Sequence, residues 1–411
     1  MSLVLPALPD TKQKAVRAKV VREYAAEISA LRQRDDYLPE YEYFLEMLLL
    51  QAEPERFRDR FPGPLAVMNC LQAPPEIFDA LGMIPYRFCA NPLSGNELSA
   101  SRLPALSCPV IRSCLGAFLL DDSIESKADM VVIAGTCDWM TRLPEMIAGR
   151  HRAVHFLELP HMKESERGCS RWQEEILLLK AALEKQTGCR MTRKALRASI
   201  ERYASARMAL RSLMESRSRR EIATVWCMVM TNAFCMGDVD AWTNQVNQVV
   251  TKQAGCQICT GGRIFLAGSP VMFPNLKIPR LIEDAGLHVA ADELCSSERT
   301  LAGLPVCEDD SEFAMMQALA GQSHQGCSCP TYADNSRRLD NIMATMRQRN
   351  ISGLVLHILK GCHPYDIGSY EMEQTLRGHG FHFLRIETDH SREDSKSLLL
   401  RLEAFSEILG D

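Results

Sequence analysis

The chain has 411 residues, 46% of them hydrophobic and 24% charged, with a formal net charge of −5. Such a composition excludes disorder and supplies enough material for about two or three domains, each burying its own core. So small a charge gives no reason to expect nucleic acid or an anionic membrane surface as a partner.

Residues 1–60 are charged and helical in pattern, and "TKQKAVRAKVVREYAAEISALRQR" offers an amphipathic face, so an N-terminal helical layer is expected. Residues 61–162 read as a first α/β domain. Short apolar runs ("PLAVMNC", "IPYRF", "DMVVIAG", "AVHFLEL") alternate with helical stretches, which predicts a parallel sheet. Residues 163–255 carry long helical patterns with almost no strand signal and predict a helical connection. The strand signal returns over 256–411, at "GRIFLAGSP", "LHVAADE", "SGLVLHIL" and "FHFLRIE", and the helix "SKSLLLRLEAFSEIL" follows. The fold class expected is α/β, with two duplicated Rossmann-like parallel-sheet domains. No apolar run approaches the roughly 18 residues of a spanning helix, and the first residues lack a charged-then-apolar leader layout. A cytoplasmic protein without a membrane partner is expected.

Set side by side, the two α/β stretches repeat the same order of parts, and three cysteine pairs fall at matching places. Cys89 and Cys295 follow the second strand of their halves. Cys108 and Cys329 stand before a proline at a predicted helix start. Cys137 and Cys362 lie just past the third strand. Ligands of open parallel sheets gather beyond the carboxyl ends of the strands, and a helix amino terminus favours thiolate. Six thiolates facing one cleft would suit iron and sulfide better than a structural bridge.

The sixteen cysteines include weaker candidates. "CQIC" (Cys256, Cys259) precedes a strand instead of opening a helix and lacks the second pair of a zinc ribbon. Cys327 reads as a spare thiol beside Cys329. Cys70, Cys114, Cys169, Cys189, Cys227, Cys235 and Cys307 have no matched partner and read as structural. His363 stands next to Cys362, where it could support a ligand or simply face solvent. The chain has no GxxxxGK[ST] loop and no GxGxxG after a strand, so any nucleotide energy would have to be supplied by another protein.

At "SCPVIRSCLGA", "AGTCD", "LIEDAGLHVAADELC", "LVLHILKGCHPYD" and "LRIETDHSREDSKSLLLRLEAFSEIL" the chain resembles the 2-hydroxyacyl-CoA dehydratase and benzoyl-CoA reductase family, over residues 60–160 and 260–410. The resemblance implies two Rossmann-like domains with an iron–sulfur cluster between them, and electrons from a separate ATP-hydrolysing activator with its own cluster. In the dehydratase branch three thiolates hold one [4Fe-4S] cluster whose open iron binds substrate, and Cys108, Cys137 and Cys362 fall on those positions. Cys89, Cys295 and Cys329 are surplus to that scheme. The double-cubane branch, with an [8Fe-9S] unit held by six thiolates, resembles the chain better in that respect. It implies a reductase acting on a small-molecule substrate, and a homodimer, because the six thiols are complete within one chain. The alternatives are a dehydratase subunit with a single cluster and a radical mechanism, and a non-catalytic α/β binding protein with inert thiols.

Overall fold

The computed structural model describes residues 9–88, 93–151, 153–258, 261–301, 303–307 and 309–410. Its frame is a pair of four-stranded, all-parallel sheets. The first holds β1 (Leu65–Met68), β2 (Ile84–Arg87), β3 (Met130–Ala134) and β4 (Val154–Leu157) in the spatial order β2-β1-β3-β4. The second holds β5 (Gly262–Gly268), β6 (Leu287–Asp292), β7 (Gly353–Leu359) and β8 (His382–Thr388) in the order β6-β5-β7-β8. One topology appears twice, as the duplicated sequence pattern predicts. The strands β1, β3 and β7 are buried along their whole length, because helices cover both faces and leave no polar side to alternate with.

Chain order reverses at β1 in one lobe and at β5 in the other, which opens a crevice at the carboxyl ends of the central strands. A polar side chain ties that crevice in each lobe. Asn69, after β1, accepts the Ala134 N–H at 2.8 Å and donates to the Ala134 carbonyl at 3.0 Å. Ser269, after β5, accepts the Leu359 N–H at 3.0 Å. Gly268 lets β5 and β7 come this close: its φ is +121°, and a Cβ there would lie 1.9 Å from the His357 carbonyl oxygen.

Between the lobes run helices Glu166–Thr187, Arg193–Ser218, Thr224–Asn232 and Val239–Gln253. Ser165 and Thr192 cap the first two by accepting N–H groups at 3.0 and 3.2 Å. The third helix, "TVWCMVMTN", is buried on every side, as its lack of a polar face requires. Its Trp226 stacks on Tyr41 with ring centroids 4.0 Å apart and donates to Asp36 at 2.9 Å.

The expected N-terminal layer is a strap. Helix Asp10–Arg32 reaches the first lobe through Gln13, which donates to Asp121 at 2.8 Å. It reaches the second through buried Glu27, which accepts from Arg280 at 2.6 Å and Arg392 at 2.8 Å. Among the described residues no helix is long and apolar enough to cross a membrane.

A buried acid near the strap makes stability pH-dependent. Burial pushes the Glu125 carboxyl up to about 7, against hydrogen bonds from its own backbone and Ser123. The folded state keeps this proton while the unfolded state releases it, so stability falls as pH rises from about 4.5 to about 7, by about 3 kcal/mol in all. Glu125→Gln is expected to flatten that slope and to raise the denaturation midpoint at pH 8, measured by urea unfolding at several pH values.

Candidate functional site

Beyond the carboxyl ends of both sheets lies a cavity of about 330 Å³, within the range of small-molecule sites. Of the six matched thiols, Cys108, Cys137, Cys295, Cys329 and Cys362 line it, joined by Cys70 and Cys327. Cys89 lies outside the described residues.

The seven thiols form two groups. Cys108 and Cys137 cap the amino ends of helices Pro109–Leu119 and Asp138–Ile147, and Cys362 precedes the short helix His363–Ile367. Gly361 brings the lobes together here. Its φ is +75°, and a Cβ would meet the Leu106 carbonyl oxygen at 2.2 Å, so only glycine lets the loop of Cys108 close on that of Cys362. A hydrogen bond with Cys108, reinforced by burial, holds the Cys362 thiol well above its usual range. Burial likewise raises Cys137, against the N–H groups of Met140 and Trp139. At Cys362 the Cys108 contact and burial, and at Cys137 burial, therefore favour thiol over thiolate.

The second group is Cys70, Cys295, Cys327 and Cys329. The Gln72 amide bridges two of them, accepting from the Cys70 thiol at 3.6 Å and donating to Cys327 at 3.8 Å and to the Tyr332 hydroxyl at 2.8 Å. Arg87, the last residue of β2, crosses between lobes and donates to the Cys295 carbonyl at 2.7 Å and its sulfur at 3.3 Å. Arg299 donates to the Tyr365 hydroxyl at 2.8 Å and pairs with Glu293 at 3.3 Å, and Glu293 is also held by Arg338 at 2.8 Å. Burial pushes Cys329 up to about 12, against the nearby Arg299 charge. The two guanidiniums among the cavity's lining residues thus stand with this group, and none stands with the trio.

Three sequence expectations change. Cys329 does not open a helix: the next begins at Ser336. First-lobe groups pin the intervening segment instead, with Lys163 donating to the Cys327 carbonyl at 2.6 Å and His161 bonded to the Thr331 carbonyl at 3.0 Å. Cys70, read as structural, packs against the core and also lines the cavity, where the second lobe has Pro270. Cys327 is not merely adjacent, because it shares the Gln72 contact. Cys114, Cys227 and Cys235 are buried in the core as expected, Cys256 is exposed, and Cys259 lies outside the described residues. His363 does line the cavity.

The donor set fits an inorganic cluster. Among the described residues no group of three or more His, Cys, Asp or Glu is arranged to hold a single metal ion. The thiols instead surround a space, as a centre of several atoms requires.

Compared with known families, residues 70–409 match the one described as 2-hydroxyglutaryl-CoA dehydratase, D-component, a span that begins just after β1 and takes in the rest of the first lobe and the second. The chain belongs to the 2-hydroxyglutaryl-CoA dehydratase D-component family. Two relatives of this dehydratase family align over most of their length. "Putative dehydratase subunit YjiM" of Escherichia coli (strain K12) is 26% identical over 84% of this chain and 91% of its own. "Lactoyl-CoA dehydratase subunit beta" of Anaerotignum propionicum is 23% identical over 87% of this chain and 96% of its own. The chain is thus a member of an enzyme-component family, and the reading as a non-catalytic binding protein gives way.

Proposed function

We propose that the chain is the iron–sulfur component of a cytoplasmic two-component reductase, and that its thiols hold a double-cubane [8Fe-9S] centre. Cys108, Cys137 and Cys362 would bind one half, and Cys295 and Cys329 would bind the other. The sixth ligand would be Cys89, with Cys70 and Cys327 as rivals placed in the cavity. The observation that carries this reading is the second thiol group, which a single cluster on the trio leaves without a purpose. Such a centre, when bound, supplies low-potential electrons for reduction of a small molecule. The chain's own residues hold the sulfur donors apart, exclude water and oxygen, and offset thiolate charge with Arg87 and Arg299. The electrons would come from a separate ATP-hydrolysing [4Fe-4S] activator, and the working form would be a homodimer.

A second reading is favoured by the names of the family and of both relatives: one subunit of a 2-hydroxyacyl-CoA dehydratase with a single [4Fe-4S] cluster on the trio. Iron and acid-labile sulfide per chain, measured after strictly anaerobic purification, separate the two. About eight irons are expected for the double cubane, about four would select the dehydratase reading, and colourless protein without iron would sink both.

A further inference from the structure

The thiol cavity continues past its second group. Behind Cys70, Arg87, Cys295, Arg299 and Cys327 lies a chamber of about 60 Å³, closed on its far side by Arg207, Thr300 and Gln322 among others. Gln322 and Cys327 also line a surface groove of about 990 Å³ beside helix Glu312–His324. Cavity, chamber and groove therefore share walls, Cys327 lining all three. The opposite end of the cavity opens beside the trio, where Ile367 is 83% exposed.

Size and lining limit what the chamber can take. At roughly 15 Å³ per water-sized probe it holds a molecule of about two to four non-hydrogen atoms, far less than an acyl thioester. Its walls offer spare donors. The Nε groups of Arg207 and Arg299 lack a hydrogen-bond acceptor although both side chains are more than nine-tenths buried. Arg207 pairs with Glu76 at 2.5 Å through another nitrogen. Buried donors left in this way favour a guest with lone-pair acceptors. Gln322, which lines both chamber and groove, is held by donating its amide to the Gly303 carbonyl at 2.8 Å.

We propose that the chamber is a gated passage, closed by Gln322, through which a small acceptor-bearing molecule passes from the groove to the second thiol group. The trio end is then left free for the electron-donating partner. The proposal rests on the cavity being the site of chemistry, as argued above, but the effect of the Gln322 variants can be read on protein without iron.

Thr300 lines the chamber but neither the cavity nor the groove, so Thr300→Cys in the full chain places a reporter thiol inside it. Its alkylation by iodomethane, a reagent small enough for the chamber, is followed by peptide mass spectrometry, with and without the metal centre loaded. Adding Gln322→Trp is expected to slow the reporter several-fold in both states, and adding Gln322→Ala to speed it several-fold. Modification of Cys137 should not change. A reporter rate that ignores both Gln322 variants, or that collapses once the centre is loaded, would overturn the passage, because the reagent would then be arriving through the thiol cavity. Iron per chain decides the cluster reading separately.

Discussion

Replacing Cys329 with serine is expected to lower iron from about eight to about four atoms per chain and to leave the centre on the trio in place. Serine keeps the shape but gives up the soft, readily ionised sulfur that iron prefers. Cys362→Ser should remove a similar share from the other side, and the double variant should bind almost none. Cys114→Ser, buried in helix Pro109–Leu119, should change nothing. Anaerobic iron and sulfide determination reads all four. If Cys329→Ser and Cys295→Ser keep full iron while Cys362→Ser loses it, a single cluster on the trio is the right description. Serine replacements at Cys70, Cys89 and Cys327 then name the sixth donor.

The second large effect concerns stability. Arg217 is fully buried on helix Arg193–Ser218 and pairs with Asp292 at 2.5 Å and Glu298 at 2.7 Å. Asp292 also accepts the Leu294 N–H at 2.8 Å and the Ser297 hydroxyl at 2.6 Å, so this group folds the loop that carries Cys295. Arg217→Met leaves buried Asp292 without its cation, while Glu298 keeps Arg349 at 2.8 Å, and should cost about 3–5 kcal/mol in denaturant unfolding. Glu298→Gln should cost less, because Arg217 keeps Asp292 as its buried anion. A loss near zero for Arg217→Met would mean that the pair contributes little net stabilisation and that packing alone holds the loop.

Much of the architecture was legible in the residues. Parallel strands covered on both faces appear as unbroken apolar runs, and "LAVM" and "MVVIA" are buried strands for that reason. Cys137 and Cys362 were legible because a strand end at a chain reversal is a fixed place in such sheets. Cys70 was not, since the duplication puts Pro270 opposite it and comparison of the halves discards it. A thiol directly after the first strand was the available signal. Cys329 was misread because Cys–Pro looks like a helix start, whereas contacts from the other lobe decide that segment's shape. Arg87 and Arg299 act through approaches between distant segments, which no local pattern encodes. An arginine ending a short apolar strand, as in "IPYR", was the one hint.

The strap formed by Asp10–Arg32 has a mechanical consequence. Because one helix is fastened to Asp121 on one side and to Arg280 and Arg392 on the other, swinging the lobes apart requires the contacts at one of its ends to break. The jaw around the sulfur donors is thus held at a set gap. Whatever is assembled there must arrive in pieces small enough for its openings, and a bulky guest gains no room from the lobes yielding.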